Sequence, residues 1–99
     1  MKIYFERTGG LMGQHLRAEI DADRLDPAAR RELEEQVETA QFFTAALPPA
    51  PPPSGADRFH YRVEIEAGSR RRAIAGGEND FPESFRPLLR YLEVLARRS

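Results

Sequence analysis

Phe59-His60-Tyr61-Arg62-Val63-Glu64-Ile65-Glu66 sets large apolar residues at every second position and polar or charged ones between them. Successive side chains of an extended chain point to opposite faces, so this spacing predicts a strand with one apolar and one charged face. Such a strand suits an antiparallel sheet covered on one side only. Lys2 to Arg7 repeats the period, with Ile3 and Phe5 on one side and Lys2, Tyr4 and Glu6 on the other. His15 to Ala22 repeats it again: Leu16, Ala18, Ile20 and Ala22 face in, while Arg17, Glu19 and Asp21 face out. Between those two runs, Thr8-Gly9-Gly10-Leu11-Met12-Gly13 brings three glycines, which permit the positive φ angles of a tight connection. The pair is expected to form an antiparallel hairpin with a glycine-rich tip. Beyond the turn Ala67-Gly68-Ser69, Arg70 to Ala75 returns as a fourth strand around Ile74, and Gly76 to Asp80 is expected to be a loop.

Two segments carry the helical period instead. Asp26-Pro27 is a good helix start, because Asp26 can accept from free first-turn amides and Pro27 lacks an amide where none is needed. Ala29, Leu33, Val37 and Ala40 follow at helical spacing, and Phe42-Phe43 is placed to dock the helix end on the sheet. Phe85, Leu88, Leu89, Leu92, Leu95 and Ala96 form a second apolar stripe, with Arg97 and Arg98 at the end favoured by the helix dipole. Asp80 and Glu83 can form a capping box around Pro82. Pro87 is tolerated only in a first turn, which puts the main helix from about Ser84. The expected fold is α+β, a single domain over residues 1–99 in the order β-β-α-β-β-α: a four-stranded, mostly antiparallel sheet with two helices packed on one face. Prolines 48, 49, 51, 52 and 53 make residues 47–55 a stiff Pro-rich loop.

Composition narrows the function classes. The 15 basic and 16 acidic residues leave a net charge of −1, which gives the chain no general attraction to nucleic acid or anionic lipid. The run Arg70-Arg71-Arg72 is a candidate phosphate contact, but Glu64 and Glu66 lie on the neighbouring strand to pair with it. Cysteine is absent, which excludes disulfides, thiolate metal sites and a cysteine nucleophile, and fits a reducing compartment. Charge arrives early at the N-terminus and no run approaches the length of a membrane span, so the cytoplasm is the expected location.

No catalytic constellation stands out. The two histidines, His15 and His60, fall on outward strand faces without metal-ligand spacing, and no serine lies in a nucleophile elbow. No glycine pattern of a phosphate-binding loop is present. The chain is therefore expected not to be an enzyme and to need no cofactor or metal. The unusual feature is Gly9-Gly10-Leu11-Met12-Gly13, where two large apolar residues sit at a hairpin tip with nothing nearby to bury them. Such a tip is either a lid on the sheet edge or an anchor for a partner's pocket. Leu25, just before Asp26-Pro27, is either a second anchor or a hydrophobic staple for the helix.

Several segments, taken in order, resemble one family. They are Ile3-x-Phe5-x-Arg7-x-Gly9-Gly10, Leu25-x-Pro27, Phe42-Phe43 before Leu47-Pro48, Asp57-x-Phe59-x-Tyr61, and Phe85-Arg86-Pro87-Leu88-Leu89-x-Tyr91-Leu92. Together they resemble the emfourin family, protein inhibitors of protealysin-like and other thermolysin-like zinc metallopeptidases. The stretch from Leu47 to Ser54 is longer than the family pattern. The resemblance implies a cytoplasmic inhibitor that docks an exposed apolar loop into the substrate cleft of a thermolysin-like metallopeptidase. Such enzymes favour a large apolar side chain on the leaving-group side of the scissile bond, which Leu11 or Met12 can supply. The candidate partner-binding residues are therefore Gly10, Leu11 and Met12, then Leu25. The alternative is a non-inhibitory protein-interaction module using the charged sheet face.

Overall fold

The computed structural model describes residues 1–10, 14–47 and 59–98. Its elements follow the expected order: β1 (Lys2–Gly9), β2 (Gln14–Asp21), α1 (Pro27–Ala40), β3 (Phe59–Ala67), β4 (Arg70–Gly77) and α2 (Arg86–Arg98). Two 3-10 turns, Ala22–Arg24 and Glu83–Phe85, lead into the helices. The strands form one four-stranded sheet in the order β2-β1-β3-β4, antiparallel throughout. Beyond Leu47, the Pro-rich loop expected at 47–55 lies outside the described residues.

Register explains why both helices share one face. Ile3 sits opposite Ile20 on one side and Ile65 on the other, and Val63 sits opposite Ile74. One face of the sheet is therefore largely apolar, although the charged residues Arg7 and Arg72 also lie on it. Leu33, Val37 and Ala40 of α1 and Leu88, Leu89, Leu92, Leu95 and Ala96 of α2 join it in a single core. Among the described residues no helix packs on the other face. There Lys2 lies between Asp21 and Glu66, and Glu6 between Arg17 and Arg62, so opposite charges are cross-strand neighbours.

Asp26 caps α1 as expected, its Oδ1 accepting from the Ala29 N–H at 2.7 Å with Pro27 in the first turn. Gln41 ends the helix in the left-handed region at φ 53°, a conformation costly for a residue with a side chain. The reversal is held by bonds from Gln41 N–H to Glu38 O and from Phe42 N–H to Val37 O. It turns Phe42 into full burial against the rings of Phe43 and Phe85.

Three boundaries differ from expectation. β2 runs one residue earlier than His15 to Ala22, because Ala22 begins the 3-10 turn. β4 continues through Gly76 and Gly77, which pair with Tyr61 and His60. Space is tight there only at Gly77, where a Cβ would lie 3.1 Å from Asp80 Oδ2; on Gly76 a Cβ would make ordinary contact with Asp80 Cβ and Phe81 Cζ at 3.4 Å. The capping box around Pro82 does not form, since Asp80 Oδ2 accepts from the Gly77 N–H at 2.8 Å and no side chain caps the turn. α2 accordingly starts at Arg86, with Pro87 in its first turn.

The arginine run is engaged within the fold. Arg70 stacks on Phe43 at 4.5 Å, Arg71 Nε donates to Glu64 Oε1 at 2.8 Å, and Arg72 Nη1 donates to Phe42 O and Ala45 O at 3.1 and 2.7 Å. No helix of the described residues is long and apolar enough to cross a membrane.

Candidate functional site

The hairpin tip springs from the end of the sheet where β1 finishes and β3 begins. Gly9 and Gly10 adopt φ 99° and 84°, a region that side chains other than glycine rarely enter. Gly10 is buried, and a Cβ on it would lie 2.7 Å from Phe59 Cε1. The Phe59 ring thus rests on the bare Gly10 backbone. Leu11 and Met12 lie outside the described residues.

A chain of contacts braces this base. The Arg7 guanidinium lies 4.5 Å from the Phe59 ring centroid, on one side of a charge–π contact. Its Nη1 pairs with Glu93 Oε2 at 3.2 Å, while Tyr61 donates its hydroxyl to Glu93 Oε1 at 2.9 Å. Tyr61 meets the edge of Phe81, which stacks on Phe85. Burial first, and then the hydrogen bond to Glu93, push the Tyr61 phenol well above its ordinary value, so it stays a neutral donor. α2 is fastened in this way to the two central strands beside the tip. The Glu78 N–H closes the neighbouring loop by donating to Phe59 O at 3.1 Å. A shallow cleft of about 310 Å³ opens beside Tyr61 and Glu93, between Glu78 and Asn79 of that loop and Arg86 and Arg90 of α2.

On the open face, next to the same end, Glu6 accepts from Tyr4 at 3.0 Å and lies 3.1 Å from His15 Nε2. The hydrogen bond to His15, and then that to Tyr4, hold the Glu6 carboxyl below the ordinary carboxylate range. Among the described residues no group of three or more histidines and carboxylates is placed to hold a metal ion.

Leu25 sits elsewhere. It follows the 3-10 turn at the far end of β2, half-buried against the core, with its N–H donating to Ala22 O at 3.2 Å. β2 spans eight residues, so Gly10 and Leu25 are separated by roughly a strand length, about 24 Å. The structure brings Gly10 onto Phe59, which Arg7 and then Glu93 brace in turn, but it does not bring Gly10 together with Leu25. The bracing residues were not singled out from sequence. The available signal was parity: Arg7 shares the alternation of Ile3 and Phe5, and so was bound for the covered face.

Comparison with protein families matches residues 5–93 to Emfourin. Among solved structures, the emfourin (M4in) of Serratia proteamaculans, described as an M4 family peptidase inhibitor, aligns with a TM-score of 0.50 and 18% identity. That alignment covers 91% of this chain and 86% of the other, and at this identity it speaks for a shared fold. No curated protein matches the chain.

Proposed function

The chain belongs to the emfourin family, and from that premise we propose that it is a protein inhibitor of a thermolysin-like, protealysin-type zinc metallopeptidase, acting in the cytoplasm. The family match over residues 5–93 carries the proposal. The hairpin between β1 and β2 enters the substrate cleft and sets Leu11 or Met12 in the pocket for a large apolar side chain. The braced base supports this role. A loop that leaves a fixed mount loses less conformational entropy on docking, so a small contact can bind tightly. Inhibition is by occlusion of the cleft, and the chain itself carries out no chemistry.

The test is a titration of a thermolysin-like peptidase from the same genome with the purified protein. Peptide hydrolysis should vanish at about one equivalent when the enzyme is well above the inhibition constant. Full activity at micromolar excess of inhibitor over a verified active enzyme refutes the proposal. Replacing Leu11 by Ala should weaken inhibition by about 2 kcal/mol, roughly thirtyfold, if it is the anchor. Because Leu25 lies a strand length away, its alanine variant tests whether the contact extends along β2. A loss below about 0.5 kcal/mol at both residues moves the anchor elsewhere.

A further inference from the structure

Among the described residues the sheet is open, with β2 and β4 at its two edges. An edge strand presents unpaired backbone donors and acceptors, and natural proteins usually blunt it with proline, bulges or a mismatched charge. β2 has none of the first two. It holds neither proline nor glycine, and its eight pairs with β1 run without a bulge.

We propose that β2 is a self-association edge, through which two copies of this chain pair antiparallel and merge their sheets into one of eight strands. The case rests on the order of residues along the edge. In an antiparallel pair with both covered faces on one side, facing positions must share parity. When Ala18 faces Ala18 of the second copy, Arg17 faces Glu19 twice and His15 faces Asp21 twice on the open side. Leu16 then faces Ile20 twice on the covered side. Every charged contact is favourable in this register. A slide of one step in one direction sets Arg17 against Arg17, and in the other Glu19 against Glu19, each a like-charge pair directly opposed. Of these three alignments, the one centred on Ala18 alone opposes no like charges, although the slid ones keep His15 facing Glu19 or Arg17 facing Asp21.

Arg17 and Glu19 are free to do this, whereas His15 Nε2 already lies 3.1 Å from Glu6 Oε2. His15, Arg17 and Glu19 are exposed. Arg17 and Glu19 make no ion pair within the chain among the described residues, although Arg17 lies close enough to favour the charged form of Glu6. Asp21 already accepts from the Asp23 N–H at 3.0 Å and lies 3.9 Å from Arg24, so the Arg17–Glu19 contacts set the register. β4 offers nothing comparable: Arg70, Arg71 and Arg72 have no acid on their own strand to meet in a second copy.

Sedimentation equilibrium across roughly 1 to 500 μM tests the proposal, on variants shown to be folded by circular dichroism. The wild-type chain should pass from a monomer of 11.3 kDa to a dimer as concentration rises. Arg17→Glu and Glu19→Arg should each weaken dimerisation by about tenfold or more, since each creates like-charge contacts at two places. An equimolar mixture of the two variants should dimerise again, because one copy then brings two acids and the other two bases to the same contacts. The double variant R17E/E19R should recover as well. A wild-type chain that stays monomeric throughout overturns the proposal. So do single variants that dimerise like the wild type, or a mixture that stays monomeric. None of these outcomes bears on peptidase inhibition, which the titration measures separately.

Discussion

Replacing Glu93 by Ala is the sharpest probe of how the hairpin base is held. The side chain of Arg7 is only 8% exposed and that of Glu93 21%, and Arg7 Nε already lies buried without a partner. Removing the carboxylate strands the guanidinium and leaves the Tyr61 hydroxyl without its acceptor. Breaking a fully buried pair from one side costs about 3–5 kcal/mol, and partial water access at Glu93 brings the expectation here to about 2–3 kcal/mol. For a domain of this size that corresponds to a fall in Tm of about 10–20 °C. Glu93→Gln keeps an acceptor for Tyr61 but loses the charge, and should cost about half as much. Urea unfolding followed by circular dichroism measures these losses, with an unchanged m value as the sign that the native state is otherwise intact. Arg7→Met should cost less in the Glu93→Ala background than alone, giving a coupling of about 1–2 kcal/mol in the double-mutant cycle. A loss below about 0.5 kcal/mol for Glu93→Ala, or strict additivity with Arg7→Met, would refute the bracing role.

Two further outcomes follow, one from the Tyr61–Glu93 contact and one from Arg72 at the end of α1. Tyr61 is held neutral in the fold, whereas an unfolded tyrosine ionises near pH 10, so the unfolded chain releases this proton first. Its contribution to stability is therefore full below about pH 10 and declines above it, and Tyr61→Phe should flatten that alkaline fall in unfolding free energy. Arg72→Ala frees the carbonyls of Phe42 and Ala45 and should destabilise by about 1–2 kcal/mol in urea unfolding, while Arg72→Lys, able to reach one of them, should cost less.

The strands were legible because a covered sheet face imposes a period of two, and Ile3, Phe5, Val63, Ile65 and Ile74 obey it. Both helices were legible from their stripes and from Asp26-Pro27. What escaped sequence reasoning depends on contacts between distant positions. Gly76 and Gly77 look like loop residues until they are seen to pair with Tyr61 and His60, with the Asp80 carboxylate folded back onto the Gly77 N–H. Gln41 gives no hint that it takes a left-handed turn, since what makes the turn worthwhile is the burial of Phe42. At the candidate site the glycine-rich tip was visible, but Arg7 looks like a misplaced charge until Glu93 arrives from the last helix. Leu25 looks like a neighbour of the hairpin because little chain separates them, yet an extended strand turns those few residues into distance.

The ring of Phe59 lying on Gly10 bears on how the tip can be dissected. A saturation library over the hairpin, scored by inhibitory output, would mark Gly10 as intolerant, and selection would rank it beside any true anchor. The two losses differ in kind. Alteration of Gly10 strikes at the φ of 84° and at the ring above it, and so lowers the yield of folded molecules. An anchor residue lowers affinity per folded molecule. Scoring the library for abundance as well as inhibition separates the hinge of the hairpin from its point.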